Sequence, residues 1–172
     1  MVRKRRSKRL ISGLVYLLIG VVTLVVQSGV CPFIAIRGVM PSLLPVAAAV
    51  AAVYSGSAAA AMFGGLCGLF MDALVPGVGV WFYTALLAVV CGAAGEMSSR
   101  TTNGGVFSAL FWSAVVLVVT GAVECLVFGV IRGGGAGECA LRALWQGLYS
   151  LPFAVVFCPV MHRVTEKLDI GK

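Results

Sequence analysis

Two acidic side chains lie inside long apolar segments of this chain, where a charge is costly. Asp72 is near the end of one such segment and Glu124 is near the end of another. A charged side chain at the middle of a bilayer costs about 2.5–3.5 kcal/mol on insertion scales, so each acid needs a partner. Three arginines, Arg37, Arg132 and Arg142, are expected on the same side of the membrane. We predict a polar cluster in which Asp72 or Glu124 pairs with Arg142 or Arg37.

Each acid also has a simpler interpretation that needs no arginine. Asp72 could reach the membrane surface with its own side chain, or cap the turn at Pro76–Gly77. Glu124 could face a small water-filled groove. The residue pattern leaves these alternatives open for Asp72, and it favours an interior position for Glu124.

The residues that enzymes need for catalysis are not arranged in a recognisable pattern. His162 is the single histidine, and no serine has a histidine and an acid arranged around it. The six cysteines include no C-x-x-C pair, which argues against a metal site. The glycine-rich segments at 103–105 and 133–135 lack the G-x-x-x-x-G-K-[ST] pattern of a phosphate-binding loop. We therefore expect no cofactor, no metal ion and no enzymatic activity.

The composition indicates an integral membrane protein. The 172 residues are 60% hydrophobic and 11% charged, with a mean hydropathy of +1.06, whereas soluble domains average roughly 25% charged residues. A spanning helix needs about 20 apolar residues, which leaves room for about six spans. We predict a compact all-α bundle with spans at Leu10–Val26, Ser42–Tyr54, Ser57–Val75, Val80–Gly95, Val106–Ile131 and Leu141–Met161. Span 2 is short and is interrupted by Pro45. The expected organisation is one transmembrane domain, residues 10–161, between a basic tail, 1–9, and a polar tail, 162–172.

The positive charges indicate how the bundle is oriented. The segment Arg3–Arg9 carries six of the chain's 13 Lys and Arg residues, and cytoplasmic loops of membrane proteins are enriched in such residues. With the N-terminus inside, ten of the 13 are cytoplasmic, so we expect both termini in the cytoplasm.

The basic segment adjoins an apolar span, which favours anionic lipid over nucleic acid as its partner. Because that span is long and no A-x-A-like site follows it, we interpret it as uncleaved. Trp81 and Tyr83 are expected in the aromatic belt at the membrane surface.

Small residues recur at steps of three and four in two consecutive spans. Such a pattern places them on one helix face and lets a neighbouring backbone approach closely. We expect spans 3 and 4 to pack against each other through a seam formed by Gly64, Gly65, Gly68, Gly92 and Gly95.

Two stretches resemble one known family. Gln27–Leu44 reads Q-S-x-x-x-P-F-x-x-I-x-G-V-x-P-S-L-L, and Phe63–Leu74 reads F-G-G-L-C-G-L-F-M-D-A-L. This order resembles the rod shape-determining MreD family, which has Q-S near the end of span 1, P-D-L-L at span 2 and G-x-x-x-G-L-x-x-D in span 3. The positions that match are Gln27, Pro41, Gly64, Gly68 and Asp72. Ser42 departs from the pattern, because the family places Asp there, but serine is also able to cap a helix.

The resemblance implies a non-enzymatic component of the bacterial cell-elongation complex in the cytoplasmic membrane. Such a protein binds MreC and helps regulate peptidoglycan synthesis and cell shape, with MreB, RodA and the transpeptidase of RodA as indirect partners. The family's fold is similar to that of the S components of energy-coupling-factor transporters, so a vitamin-binding S component is the alternative. Those subunits carry an A-x-x-x-A-like motif in span 1, and Leu10–Gln27 has no such pair.

Overall fold

The computed structural model describes residues 2–35, 39–74, 81–101, 105–127 and 136–168, and these ranges form a bundle of helices. The helices are α1 (Val2–Gly29), α2 (Leu43–Tyr54), α3 (Ser57–Leu74), α4 (Phe82–Thr101), α5 (Val106–Glu124) and α6 (Ala136–Leu168), with a short 3₁₀ helix at Cys31–Ile34. Five of the six α-helices are long and apolar enough to cross a membrane, and α2 is the shorter exception. The prediction of an all-α, multi-pass membrane bundle is confirmed.

Contacts between the helices define the two ends of the bundle. Gln27, near the end of α1, contacts the start of α2. The backbone N–H of Ser42 donates to Oγ of Ser150 in α6, and the ring of Tyr54 at the end of α2 lies edge-on against His162 near the end of α6. Helix α1 therefore runs antiparallel to α2 and helix α6 runs parallel to it, so α1 begins and α6 ends at the same end of the bundle. We call this the terminal end and the opposite one the distal end.

Helix α2, the shortest of the described α-helices, lies at the centre. Every residue from Leu43 to Ala52 is buried, and α2 contacts each of the other five α-helices. A helix that is apolar on all sides can be buried on all sides. The sequence suggested that Pro45 interrupts this helix, but it does not. It lies in the first turn, where proline is tolerated because the N–H that it lacks has no partner inside the helix.

Several helices extend beyond the predicted spans. Helix α4 continues past Gly95 to Thr101, and an ion pair between Glu96 and Arg100, 2.7 Å apart at spacing i,i+4, supports this last turn. Most of the predicted tail at 1–9 belongs to α1, and α6 continues through most of the predicted tail at 162–172. Charged residues such as Arg, Lys and Glu are good helix formers, so a change in polarity marks the edge of an apolar segment but not the end of its helix.

The small-residue seam lies where α3 packs against α4. A Cβ atom built on Gly64 would lie 2.6 Å from the carbonyl oxygen of Leu87, and one on Gly68 would lie 2.6 Å from the backbone N of Thr84. Gly92 and Gly95 face α3 from the other side, with Cβ positions 3.2 Å and 3.1 Å from alanine side chains of α3. The two helices approach this closely because neither has side-chain atoms at these positions. Gly65 lies at the margin of the seam, with ordinary contact to Ala88.

Candidate functional site

The distal end of the bundle contains a pocket of about 650 Å³. Its wall includes residues from five of the six α-helices and from the loop between α1 and α2. Polar side chains line part of it, and they include Gln27, Ser28, Tyr83, Glu124, Arg142 and Gln146. The pocket is therefore the place where sequence-predicted polar residues meet inside an otherwise apolar bundle.

Gln27 joins α1 to the first turn of α2. Its side-chain oxygen Oε1 accepts hydrogen bonds from the backbone N–H groups of Leu43 and Leu44, both at 2.9 Å. These groups belong to the first turn of a helix, whose N–H groups have no partner within the helix. Ser42 occupies the capping position, but its side chain makes no capping hydrogen bond. The expectation that Ser42 caps α2 was wrong, because a glutamine from another helix supplies the acceptor.

The substitution Gln27→Leu is expected to lower the free energy of unfolding by about 2 kcal/mol, because two buried N–H groups at the start of α2 lose their acceptor. Thermal unfolding in detergent, followed by intrinsic fluorescence, measures the change. Ser28→Ala is the matched control, since the Ser28 hydroxyl is exposed and bonds only to carbonyl groups of its own helix. Equal melting temperatures for the two variants would show that Gln27 does not hold α2.

Asp72 makes a second contact of the same kind at the start of α4. Its Oδ1 accepts from the backbone N–H of Tyr83 at 2.9 Å, and its Oδ2 accepts from the backbone N–H and the hydroxyl of Thr84 at 3.0 and 2.7 Å. A carboxylate at a helix N-terminus also interacts favourably with the helix dipole. Asp72 therefore caps the next helix. The turn at Pro76–Gly77, which one interpretation had it cap, lies outside the described residues.

Glu124, Arg142 and Tyr83 line the same pocket, and the backbone N–H of Tyr83 donates to Asp72. The hydroxyl of Tyr83 donates to Oε1 of Glu124 at 3.2 Å. The structure thus places both Glu124 and Arg142 at the distal pocket. Arg37, the other arginine of the predicted cluster, lies outside the described residues.

Tyr83, Thr84 and Ser150 were not identified from the sequence as residues of the distal end. Tyr83 was expected in the aromatic belt, but its side chain is only 1% exposed, while its neighbour Trp81 is exposed. The ring of Tyr83 lies in the core because its backbone N–H is held by Asp72 at the start of α4 and its hydroxyl donates to Glu124. The signal that could have indicated this is a tyrosine followed by a threonine in the first turn of one helix, with an acid near the end of the preceding helix.

Helix α5 changes its geometry next to Glu124. Residues 125–127 form one turn of π-helix, a widened turn that occurs often at functional sites. Pro41 lines the pocket just before α2 begins, and its fixed backbone angle suits the extended chain there.

The arrangement at the distal end can position a polar group, bind it and shield it from lipid. Among the described residues, no three His, Cys, Asp or Glu side chains are grouped closely enough to hold a metal ion. The polar side chains of the pocket can donate to and accept from a bound group, with Glu124 and Arg142 providing one charge of each sign. No family model, no curated protein and no solved structure matches this chain.

Proposed function

We propose that this chain is a non-enzymatic component of the bacterial cell-elongation complex that acts as proteins of the MreD family do. The observation that carries this proposal is the contact between Gln27 and the start of α2. Gln27 opens the first stretch that resembles the family, and the P-S-L-L segment closes it. The two ends of that stretch, separated by the 3₁₀ helix, meet in one pair of hydrogen bonds.

The second stretch supports the proposal in the same way. Gly64 and Gly68 allow α4 to approach α3, and Asp72 caps α4 from the next turn of the same face. The spacing G-x-x-x-G-x-x-x-D therefore places these three residues on one helix face, and all three stabilise the packing of α3 against α4. A chance resemblance would give no reason for its matching positions to coincide with such contacts.

The proposed location is the bacterial cytoplasmic membrane, with both termini in the cytoplasm. The basic start of α1 and the end of α6 lie at the same end of the bundle, and that end then faces the anionic lipids of the inner leaflet. The distal pocket faces the periplasm, where MreC has its soluble domain. MreC is the proposed direct partner, while MreB, RodA and the transpeptidase associate through it.

Co-purification tests the proposed partnership. The tagged chain and the MreC-like protein of the same genome are co-expressed, extracted in mild detergent and purified through the tag. We expect MreC to be retained in a fixed ratio, while an unrelated single-span protein with the same orientation is washed away. Loss of MreC from a chain that remains monodisperse and folded would contradict the proposal.

The distal pocket favours one other function. Its volume of about 650 Å³ falls within the range of small-molecule sites, about 300–1,000 Å³, as a vitamin-binding S component requires. That alternative predicts that a water-soluble vitamin raises the melting temperature of the purified chain, and that the chain co-purifies with a transporter's coupling protein instead of MreC.

A further inference from the structure

A second space adjoins the distal pocket and opens sideways out of the bundle. It is a groove of about 720 Å³ between α5 and α6. The groove and the pocket share Cys125 and Ala143 in their walls. A narrow space lined by Thr120, Glu124 and Gln146 also lies between them. Pocket and groove therefore adjoin each other, and we call the two together the cleft, with the pocket as its polar part and the groove as its apolar part.

The groove is apolar along its whole length. Small residues of both helices line it, and they include Ala114, Gly121, Ala140 and Gly147. Leucine and valine side chains form its rim, where Val118 is 66% and Leu144 is 68% exposed. A long hydrocarbon chain would meet only apolar side chains and glycine backbone in this groove.

The length of the groove matches one leaflet of a bilayer. Its residues on α5 and on the π-helical turn that follows run from Ala114 to Leu126, a rise of about 18 Å at 1.5 Å per residue. Half of the hydrocarbon core is about 15 Å, whereas a partner's transmembrane helix would need contact over about 30 Å. The groove is therefore the right length for an acyl chain of one leaflet and too short for most of a spanning helix.

The polar part of the cleft offers one negative and one positive side chain. Glu124 accepts one hydrogen bond from Tyr83 at 3.2 Å, and a carboxylate has about four acceptor positions in all, so it can bind a further donor. Arg142 has five N–H donors, enough to serve more than one partner at once. Charges of both signs in one pocket complement a headgroup that carries an amine and a phosphate.

We propose that the cleft binds a zwitterionic phospholipid with a primary amine, of the phosphatidylethanolamine class. The ammonium group binds Glu124, the phosphate faces Arg142, and one acyl chain lies in the groove between α5 and α6. The site does not depend on a partnership with MreC, and its test contains no partner protein.

Native mass spectrometry in nanodiscs tests headgroup selection. The nanodiscs contain equal amounts of phosphatidylethanolamine and phosphatidylglycerol with the same acyl chains. We expect the wild-type chain to retain phosphatidylethanolamine preferentially, and Glu124→Gln to reduce that preference at least about tenfold, because a charge-assisted hydrogen bond is lost. Equal retention of both lipids by the wild type would overturn the proposal.

The groove is tested separately at exposed positions. Ala122→Phe fills the groove from the surface of α5, and Ala93→Phe places the same bulk on an exposed position of α4 outside it. We expect the first variant to lose the bound lipid and the second to keep it, at equal melting temperatures. Retention of the lipid by both variants would place the acyl chain elsewhere and would overturn the proposal.

Photo-crosslinking of the unmodified protein removes any dependence on folding of the variants. Phosphatidylethanolamine with a diazirine in one acyl chain is incorporated into the nanodiscs and irradiated. Crosslinks within 114–126 and 140–151 are expected, with a diacyl phosphatidylglycerol probe giving at most about a tenth of the yield. Crosslinks confined to α1 and α3 would overturn the proposal. An unchanged yield of crosslinked phosphatidylethanolamine when a water-soluble ligand saturates the pocket would also overturn it.

Discussion

Gly68→Leu is expected to lower the free energy of unfolding of the bundle by about 3 kcal/mol or more, because the new side chain has no space between α3 and α4. A Cβ atom on Gly68 alone would overlap the carbonyl oxygen of Tyr83 and the backbone of Thr84. These are backbone atoms of a packed helix, which cannot rotate away as the end of a flexible side chain can. The two helices would have to separate, and the hydrogen bonds by which Asp72 caps α4 would then be broken.

Thermal unfolding in detergent, followed by fluorescence or circular dichroism, measures this effect. Gly13→Leu is the matched control, because it makes the same change on α1 at a position with no atom within 4 Å of the added Cβ. We expect the control to melt at or slightly above the wild-type temperature, since leucine is a better helix former than glycine. A Gly68→Leu protein that melts with the wild type would show that the seam does not hold the bundle together, and loss of a partner by that variant would assign the seam to an intermolecular contact.

Asp72→Ala is expected to cost about 3–5 kcal/mol, because it removes three hydrogen bonds at once and leaves two backbone N–H groups of α4 without an acceptor. The contacts are those to Tyr83 and Thr84, at 2.7–3.0 Å. Asp72→Asn keeps one acceptor oxygen but replaces the other with an N–H₂ group that faces donors, so we expect an intermediate loss.

Equilibrium unfolding in mixed micelles measures both substitutions. Glu138→Ala is the control, because it removes the same charge from the first turn of α6, at the same end of the bundle. We expect it to cost no more than about 1 kcal/mol, the usual magnitude of an interaction with the helix dipole. A loss for Asp72→Ala as small as that of the control would show that net charge at the distal end, and not the cap of α4, is what Asp72 supplies.

The fold class could be predicted because it depends on properties that the sequence displays directly. Long apolar segments indicate spanning helices whatever their neighbours are. The glycines of α3 and α4 also reveal their seam, because their spacing places them on one face and helices joined by a short turn pack as neighbours. Both features are local in the sequence.

The features that could not be predicted depend on contacts between distant residues. Gln27 caps α2 from 16 residues away, and Ser150 accepts from Ser42 across 108 residues. Helix-capping rules apply to residues beside the helix start, so they favour Ser42 and cannot identify a glutamine on another helix. The central position of α2 was missed for a related reason, because an apolar segment without periodicity can face either lipid or protein.

The shortness of α2 has a consequence for how the protein is made. Its 12 residues span about 18 Å, too little to cross a hydrocarbon core of about 30 Å. We therefore expect the translocon to insert α2 as half of a hairpin with α3, joined through Ser55 and Gly56, and not as an independent span. The backbone N–H of Ser42 finds its acceptor, Ser150, only after α6 has been synthesised. Insertion of the early helices thus precedes completion of the core, which has to wait for the synthesis of α6.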